Sequence, residues 1–324
     1  MAKIAYKNHD YDTRILLLAG AETVRTAGMA IMDIYVSADI GAEIKSDNTP
    51  VTKADKASED ILLPALKQLT PNIPILSEEQ VAAGNIPDIS DGTYWAVDPL
   101  DGTKDFIEQT GGFAVLVSLI HEGEPILGLV YHPAQATLYA GSVPDKIALK
   151  RNDIADTVED LNAPSSTALT EGNVRAVVNK SSGDVAEITK FLEQQTADTN
   201  TGDVENQFKI NKQDVIAIKD RGAIYAFCPV LDGTADIYAH ISKSKGDGAP
   251  FWDVAAGHAL VTAAGGKVTD FDGNKLDYSP NPNETGARAL RVVPHIAVSR
   301  QQLARDAKPV AKRKPPKKRP GGPS

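Results

Sequence analysis

The stretch Trp95-Ala96-Val97-Asp98-Pro99-Leu100-Asp101-Gly102-Thr103 leaves the backbone few choices. Residues 93–97 are mostly aromatic or β-branched and follow the turn dipeptide Asp91-Gly92, so they predict a strand. Pro99 has no N–H for a sheet ladder and biases Asp98 away from helix, so the strand is expected to end at Asp98. Residues 104–108 have helical composition, which sets Gly102 and Thr103 at a helix N-terminus. Free N–H groups there, with the positive end of the helix dipole, suit a phosphate. Asp98 and Asp101 sit on one tight turn with the Leu100 carbonyl between them, an oxygen set suited to a hard divalent cation, Mg²⁺ above all. The combination suggests metal-assisted phosphoryl chemistry. A purely structural reading competes with it, since an Asp before Pro or Gly commonly caps a helix or opens a turn.

Three other places could complete such a site. Ser77-Glu78-Glu79 follows a short apolar strand, so Glu78 either points into a metal cluster from the strand end or belongs to a charged surface loop. Asp253, in Trp252-Asp253-Val254-Ala255-Ala256, precedes a helix of small residues and reads either as a ligand or as an N-cap. Thr52 and Asp55 open another helix, where they serve as a cap or as a polar relay. His258, among small apolar residues, reads as a packed core histidine, and Leu231-Asp232-Gly233-Thr234 reads as a turn.

Around these motifs the chain reads as two α+β halves, residues 1–160 and 161–300, and a tail, 301–324. Periodicity predicts a long helix over residues 11–37 and a second over 53–69, bent or broken at Pro64. Strands follow at 73–76, 93–97, 113–120, 126–131 and 137–140; the turn His121-Glu122-Gly123-Glu124 makes the third and fourth antiparallel. Residues 145–170 have weak periodicity and are expected to join the halves. The second half offers a strand at 174–178, helices at 184–194 and 254–264, and a closing strand at 267–271. Largely antiparallel strands with helices in both halves imply a layered α+β architecture.

Composition limits the function classes. One cysteine, Cys228, excludes an internal disulfide and fits a reducing compartment, and no unbroken apolar run approaches the roughly 18 residues of a membrane helix. A cytoplasmic protein is therefore expected, with a peripheral place at the inner face of the membrane as an option. Residues 308–324 hold seven basic and no acidic residues, leaving −16 on the rest of a chain whose net charge is −9. Such a tail reads as disordered, either a polybasic arm for nucleic acid or an acidic membrane surface, or a solvated extension. The acidic body argues against generic nucleic-acid binding elsewhere.

The order Ser77-Glu78-Glu79, then Asp98-Pro99-Leu100-Asp101-Gly102-Thr103, then Trp252-Asp253-Val254-Ala255-Ala256 resembles the inositol monophosphatase superfamily of Mg²⁺-dependent, lithium-sensitive phosphatases across residues 11–299. Within it the chain is most similar to the CysQ-type 3′(2′),5′-bisphosphate nucleotidases, on residues 45–52, 69–79, 101–107, 125–131 and 252–259. The resemblance implies an αβαβα sandwich, usually dimeric, and two or three Mg²⁺ ions. Glu78, Asp98, the Leu100 carbonyl, Asp101 and Asp253 would be the metal ligands. Thr103 and Asp55 would orient the attacking water and accept its proton. The Gly102 and Thr103 N–H groups would hold the phosphate, with Glu78, Asp101 and Asp253 also bordering the substrate. The implied reaction removes the 3′-phosphate of adenosine 3′,5′-bisphosphate, a by-product of sulfate activation, and gives AMP.

The chain departs from that pattern where specificity resides. Residues 221–227 replace a Gly-Ser-Ser-Leu-Lys-like run, and the approach to Trp252 is longer and carries His240, Lys243 and Lys245. Those residues, and Lys180, would either meet a second phosphate or lie in solvated loops. Inositol monophosphate therefore stands as an alternative substrate. A catalytically weak Mg²⁺- and nucleotide-binding protein acting through its basic tail stands as a second alternative.

Overall fold

The computed structural model describes residues 2–37, 41–44, 50–161, 176–179, 215–218, 224–241, 248–292 and 295–299. The expected helix at 184–194, Lys180, Lys243, Lys245, residues 45–49 and 221–223, and the basic tail lie outside them.

A hairpin of β1 (Lys3–Tyr6) and β2 (His9–Asp12) leads into the first layer, helices α1 (Thr13–Tyr35) and α2 (Lys53–Leu69), with the small pair β3 (Glu43–Ile44) and β4 (Pro50–Val51) between them. Asp12 caps α1 by accepting from the Arg14 and Ile15 N–H groups at 3.0 and 3.3 Å. Averaged over 18 residues, α1 is apolar enough to cross a membrane, a property that unbroken apolar runs do not register. In the fold it presses Leu16, Leu17, Val24, Ala27 and Ile31 into the core.

Next lies a seven-stranded sheet, ordered β11-β10-β9-β8-β7-β6-β5. Its strands are β5 (Ile75–Ser77), β6 (Tyr94–Asp101), β7 (Ala114–His121), β8 (Glu124–His132), β9 (Thr137–Ser142), β10 (Ile147–Asn152) and β11 (Thr157–Asp160). All neighbours are antiparallel except β5 and β6, which run parallel. Short helices α3 (Glu78–Ala82) and α4 (Thr103–Ile107) follow β5 and β6. Behind the sheet pack α5 (Ile224–Leu231) and α6 (Phe251–Ala263). Beyond them is a five-stranded sheet ordered β13-β12-β14-β16-β15, from Val215–Ile218, Ala176–Asn179, Ile237–Ile241, His295–Ser299 and Lys267–Thr269. One hydrophobic core joins α1 and α2 to the near face of the first sheet, with Trp95, Val97, Val117 and Leu129 at its centre. A second joins the far face to α5, α6 and the second sheet through Leu116, Phe227, Phe251, Leu260 and Val298. The layered α+β expectation therefore holds.

Several local expectations are corrected. Residues 145–161 do not merely connect the halves but carry the hairpin β10–β11, whose polar strands form the exposed sheet edge and so give little alternation of apolar residues. The β1–β2 hairpin and β16 were not expected at all. The second sheet is mixed: β12 pairs parallel with β13 and β14, whereas β16 pairs antiparallel with β14 and β15. Pro64 does not break α2, because it sits on the exposed face, where the carbonyl one turn earlier can turn to water.

The sheet reaches α6 through glycine. A Cβ on Gly128 of β8 would fall inside contact distance of the Ala256 carbonyl and against the Ala259 and Leu260 side chains. Gly128→Ala is therefore expected to lower stability by about 1–3 kcal/mol through overpacking at this helix–sheet seam. Denaturant unfolding of the two proteins measures it.

Candidate active site

Parallel pairing of β5 with β6 sets Ser77 opposite Val97, so Glu78, just past the end of β5, comes beside Asp98 of β6. Regular pairing of β6 with β7 stops at Asp98, as Pro99 requires. The strand nevertheless continues: the ladder slips by one residue and resumes at Asp101. This bulge aims both aspartates at the same place, and the Leu100 N–H donates to Asp98 Oδ1 at 2.9 Å. Asp253 arrives from the other side of the sheet. It is not an N-cap, because Pro250 holds that position and Asp253 is the third residue of α6. A carboxylate in a first turn is favoured by the helix dipole.

Glu78, Asp98 and Asp253 each offer a carboxylate oxygen within 4.8 Å of the other two. Asp101 is not in this closest trio, but its charge acts on both Asp98 and Asp253. Burial, then the negative charges of Glu78, Asp101 and Asp253, pushes the Asp98 carboxyl well above the usual carboxylate range. Asp253 is raised in the same way by burial and by Asp101 and Glu78, with Arg291 acting in the opposite direction. A half-buried to buried, all-oxygen donor set with this much mutual repulsion fits hard divalent cations such as Mg²⁺.

Asp55 caps α2 with one carboxylate oxygen and reaches Thr103 with the other. Its Oδ2 accepts from the Thr52 N–H and hydroxyl, each at 2.7 Å, and the Thr52 hydroxyl accepts from the Ala54 N–H at 3.1 Å, a capping box that starts α2. Its Oδ1 faces Thr103, whose hydroxyl lies 3.3 Å from it and 3.2 Å from the Leu100 carbonyl. Gly102 caps α4 at φ 87°, a left-handed conformation that suits glycine, and a Cβ there would meet the Gly112 carbonyl at 2.6 Å.

Two residues of α2 escaped the sequence reading. The Ser58 hydroxyl donates to the Pro99 carbonyl at 2.7 Å, holding the bulge between Asp98 and Asp101. The buried Glu59 carboxylate accepts from the Ser77 hydroxyl at 2.5 Å and the Gln80 side-chain amide at 2.8 Å, on both sides of Glu78. The signal was present: Ala54, Asp55, Ser58, Glu59, Leu62 and Leu66 form the buried face of α2, and three of them are polar. Arg291 was missed as well. Its Nη1 donates to the Gly248 carbonyl at 2.7 Å, and its backbone bridges to Pro250 ahead of Asp253.

Of the specificity candidates, His240 is described. Its Nδ1 lies 3.2 Å from the hydroxyl of Tyr238, a residue near enough to Asp101 and Asp253 to feel their charge. His258 is a core histidine, as expected, with Nδ1 2.9 Å from the Tyr278 hydroxyl, and burial lowers it to about 4. Residues 232–234 form a turn before β14, also as expected.

Residues 15–304 match the inositol monophosphatase family. The 3′(2′),5′-bisphosphate nucleotidase CysQ of Escherichia coli O157:H7 is 35% identical over 263 residues, covering 80% of this chain and 92% of that protein. Among solved structures, CysQ from Bacteroides thetaiotaomicron aligns with a TM-score of 0.60 at 26% identity, over 88% of this chain and 97% of that one. An inositol monophosphatase from Anabaena shares the fold, with a TM-score of 0.59 at 22% identity over 90% of this chain and 93% of its own.

Two outcomes follow from the geometry. A carboxyl raised on folding binds protons more readily in the folded chain than in the unfolded one, so the metal-free protein loses stability as pH rises through the carboxylate range toward neutrality. Metal-free Asp98→Asn is therefore expected to melt above metal-free wild type at about pH 7.5, with the gap closing toward about pH 5. Mg²⁺ should raise the wild-type melting temperature and leave the variant's almost unmoved; thermal unfolding in EDTA and in Mg²⁺ reads both. Glu59→Ala should raise the Mg²⁺ concentration for half-maximal stabilisation roughly 10–100-fold, as loss of a residue supporting a ligand does. Glu59→Gln should restore part of it.

Proposed function

The chain belongs to the inositol monophosphatase family, and we propose that it is an Mg²⁺-dependent 3′(2′),5′-bisphosphate nucleotidase that hydrolyses the 3′-phosphate of adenosine 3′,5′-bisphosphate to AMP and phosphate. The observation that carries the chemistry is the meeting of Glu78, Asp98 and Asp253 within 4.8 Å, with the Thr103–Asp55 pair joined to Asp98 through the Leu100 backbone. The substrate rests on identity to CysQ-type nucleotidases along nearly their whole length.

On this reading Glu78, Asp98, the Leu100 carbonyl, Asp101 and Asp253 hold two or three Mg²⁺ ions. When bound, these ions supply positive charge against the phosphoryl oxygens and lower the pKa of water. The residues of the chain do the rest. Thr103 Oγ1 orients the attacking water, and Asp55 Oδ1 receives the proton that passes through the hydroxyl; the capping bonds on Oδ2 keep that oxygen turned toward Thr103. Water oxygen bonds to phosphorus as the bond from phosphorus to the ribose O3′ breaks, and the departing oxygen takes a proton from solvent water. The Gly102 and Thr103 N–H groups, at a helix start with no side-chain cap, donate to the phosphoryl oxygens as charge moves onto them. Arg291, beside the chain entering α6, offsets part of the negative charge around Asp253 and keeps its first turn in place.

Phosphate release from adenosine 3′,5′-bisphosphate and from inositol 1-phosphate tests the proposal. Turnover of the nucleotide should exceed that of the inositol ester by roughly 100-fold in kcat/KM, a difference that buried polar recognition readily supplies. It should vanish in EDTA, return with Mg²⁺ and fall with lithium. Equal or greater turnover of the inositol ester overturns the substrate, and turnover that persists without divalent metal overturns the chemistry.

A further inference from the structure

Asp105 is a buried acid to which the proposed reaction gives no task. It is 7% exposed, two residues past Thr103 on α4 and four past Asp101. A charge withdrawn from water in this way is costly unless a partner binds it. That partner is Thr110, whose hydroxyl donates to Asp105 Oδ1 and whose N–H donates to the Asp105 carbonyl at 3.0 Å. The same hydroxyl accepts from the Gly112 N–H at 3.2 Å, so one oxygen ties an α4 side chain to the backbone that leads into β7. That backbone then returns to the start of α4. A Cβ on Gly112 would meet Asp105 Oδ1 at 2.8 Å, and the Gly112 carbonyl packs against Gly102 closely enough to bar a side chain there. Residues 102–105 and 110–112 thus close a ring: Gly102 leads through Thr103 to Asp105, Asp105 binds Thr110, and Gly112 comes back onto Gly102. Phe106 and Phe113, each one residue outside it and both fully buried, anchor it to the core edge to face, with centroids 5.2 Å apart.

We propose that Asp105 and Thr110 are positioning residues for the reaction: their hydrogen bond closes the ring that holds the Thr103 hydroxyl on Asp55. The inference rests on the role given above to Thr103. A helix of five residues has few internal hydrogen bonds with which to fix itself, so the direction of its first side chain is set from outside. From the ring Thr103 turns its hydroxyl to Asp55 Oδ1 at 3.3 Å and to the Leu100 carbonyl at 3.2 Å. A turn of α4 by a fraction of an ångström would lengthen both contacts, and the Asp105–Thr110 bond opposes that turn. Thr110 is itself exposed and belongs to neither hydrophobic core, so a bond placed there does little to hold the fold together. Its consequence is local, in the placement of one hydroxyl. Asp105 and Thr110 are therefore expected to act on the rate of the chemical step and to leave the binding of metal and substrate as it is.

Thr110→Val keeps the shape of an exposed side chain and removes its hydroxyl, so it opens the ring without opening the core. With adenosine 3′,5′-bisphosphate and saturating Mg²⁺, its kcat should fall at least about ten-fold while KM stays within about two-fold, as slight misplacement of a reacting group produces. Thr110→Ser should keep kcat within about two-fold of wild type. Asp105→Asn, whose amide oxygen still accepts from Thr110, should lose less than Asp105→Ala. The Mg²⁺ concentration for half-maximal thermal stabilisation should be the same in Thr110→Val as in wild type, unlike that of Glu59→Ala. Hydrogen exchange reads the ring without turnover: amides of residues 102–113 should exchange at least about ten-fold faster in Thr110→Val and at the wild-type rate in Thr110→Ser. Full kcat in Thr110→Val, folded at the assay temperature by its melting curve, overturns the inference. So does an equal loss in Thr110→Ser, a loss that further Mg²⁺ restores, or unchanged exchange in Thr110→Val. Should Asp105→Ala not fold, the two Thr110 variants decide. Failure of the proposed reaction shows elsewhere, in wild type that turns over without divalent metal or prefers the inositol ester, and the exchange measurement still tests the ring.

Discussion

Mutual repulsion among Glu78, Asp98, Asp101 and Asp253 is the constraint around which the molecule is built. Left to themselves, carboxylates a few ångströms apart and largely withdrawn from water would move away or take up protons. Each is instead fixed by a rigid element: a parallel strand pair brings Glu78 beside Asp98, a bulge turns Asp98 and Asp101 to one side, and the first turn of α6 delivers Asp253. The strain this arrangement carries without cations is the same property that suits it to holding them. Stability in the metal-free protein and affinity for metal are therefore opposed here.

Helix α2 is the brace for that arrangement. Along one buried face it supplies Asp55 to Thr103, Ser58 to the Pro99 carbonyl and Glu59 to the residues flanking Glu78. A buried helix face is ordinarily apolar, and polar groups on it cost stability unless each is satisfied. Here they are satisfied by the very segments that carry the proposed ligands. The close seams elsewhere serve the same end: Gly128 lets α6 lie against β8, and Gly257 lets Phe227 of α5 lie against α6. Both hold in place the helix that bears Asp253.

Much of this was legible in the chain. Both bounds of α2, the ends of the central hairpin β7–β8 to within two residues, and the turn chemistry of residues 98–103 follow from periodicity, capping and proline. The misses have physical causes. The hairpin β10–β11 is polar on its exposed edge, so it shows no alternation to read. Asp253 resembled a cap because aspartate at the start of a helix usually is one; that Pro250 caps α6 instead depends on residues 290–292 pairing with 249–251. Ser58 and Glu59 look like ordinary surface residues of an amphipathic helix until their partners, about 20 and 40 residues away, are folded against them.

By itself, then, the sequence determined the local devices: the capping of α2, the turn between β7 and β8, the glycine that opens α4, and which oxygens are available around them. Backbone sterics and hydrogen-bonding capacity act over a few residues, and composition records them directly. It also determined, through matching segments spread along the chain, the family to which these devices belong. Only the tertiary structure decided which of those oxygens meet. Strand register, the helix–sheet seam at Gly128 and the second set of bonds made by Asp55 bring residues 55, 78, 98, 103 and 253 together, and no short stretch of chain contains that information. Electrostatic repulsion and attraction depend on distance in space, and distance in space is what folding sets.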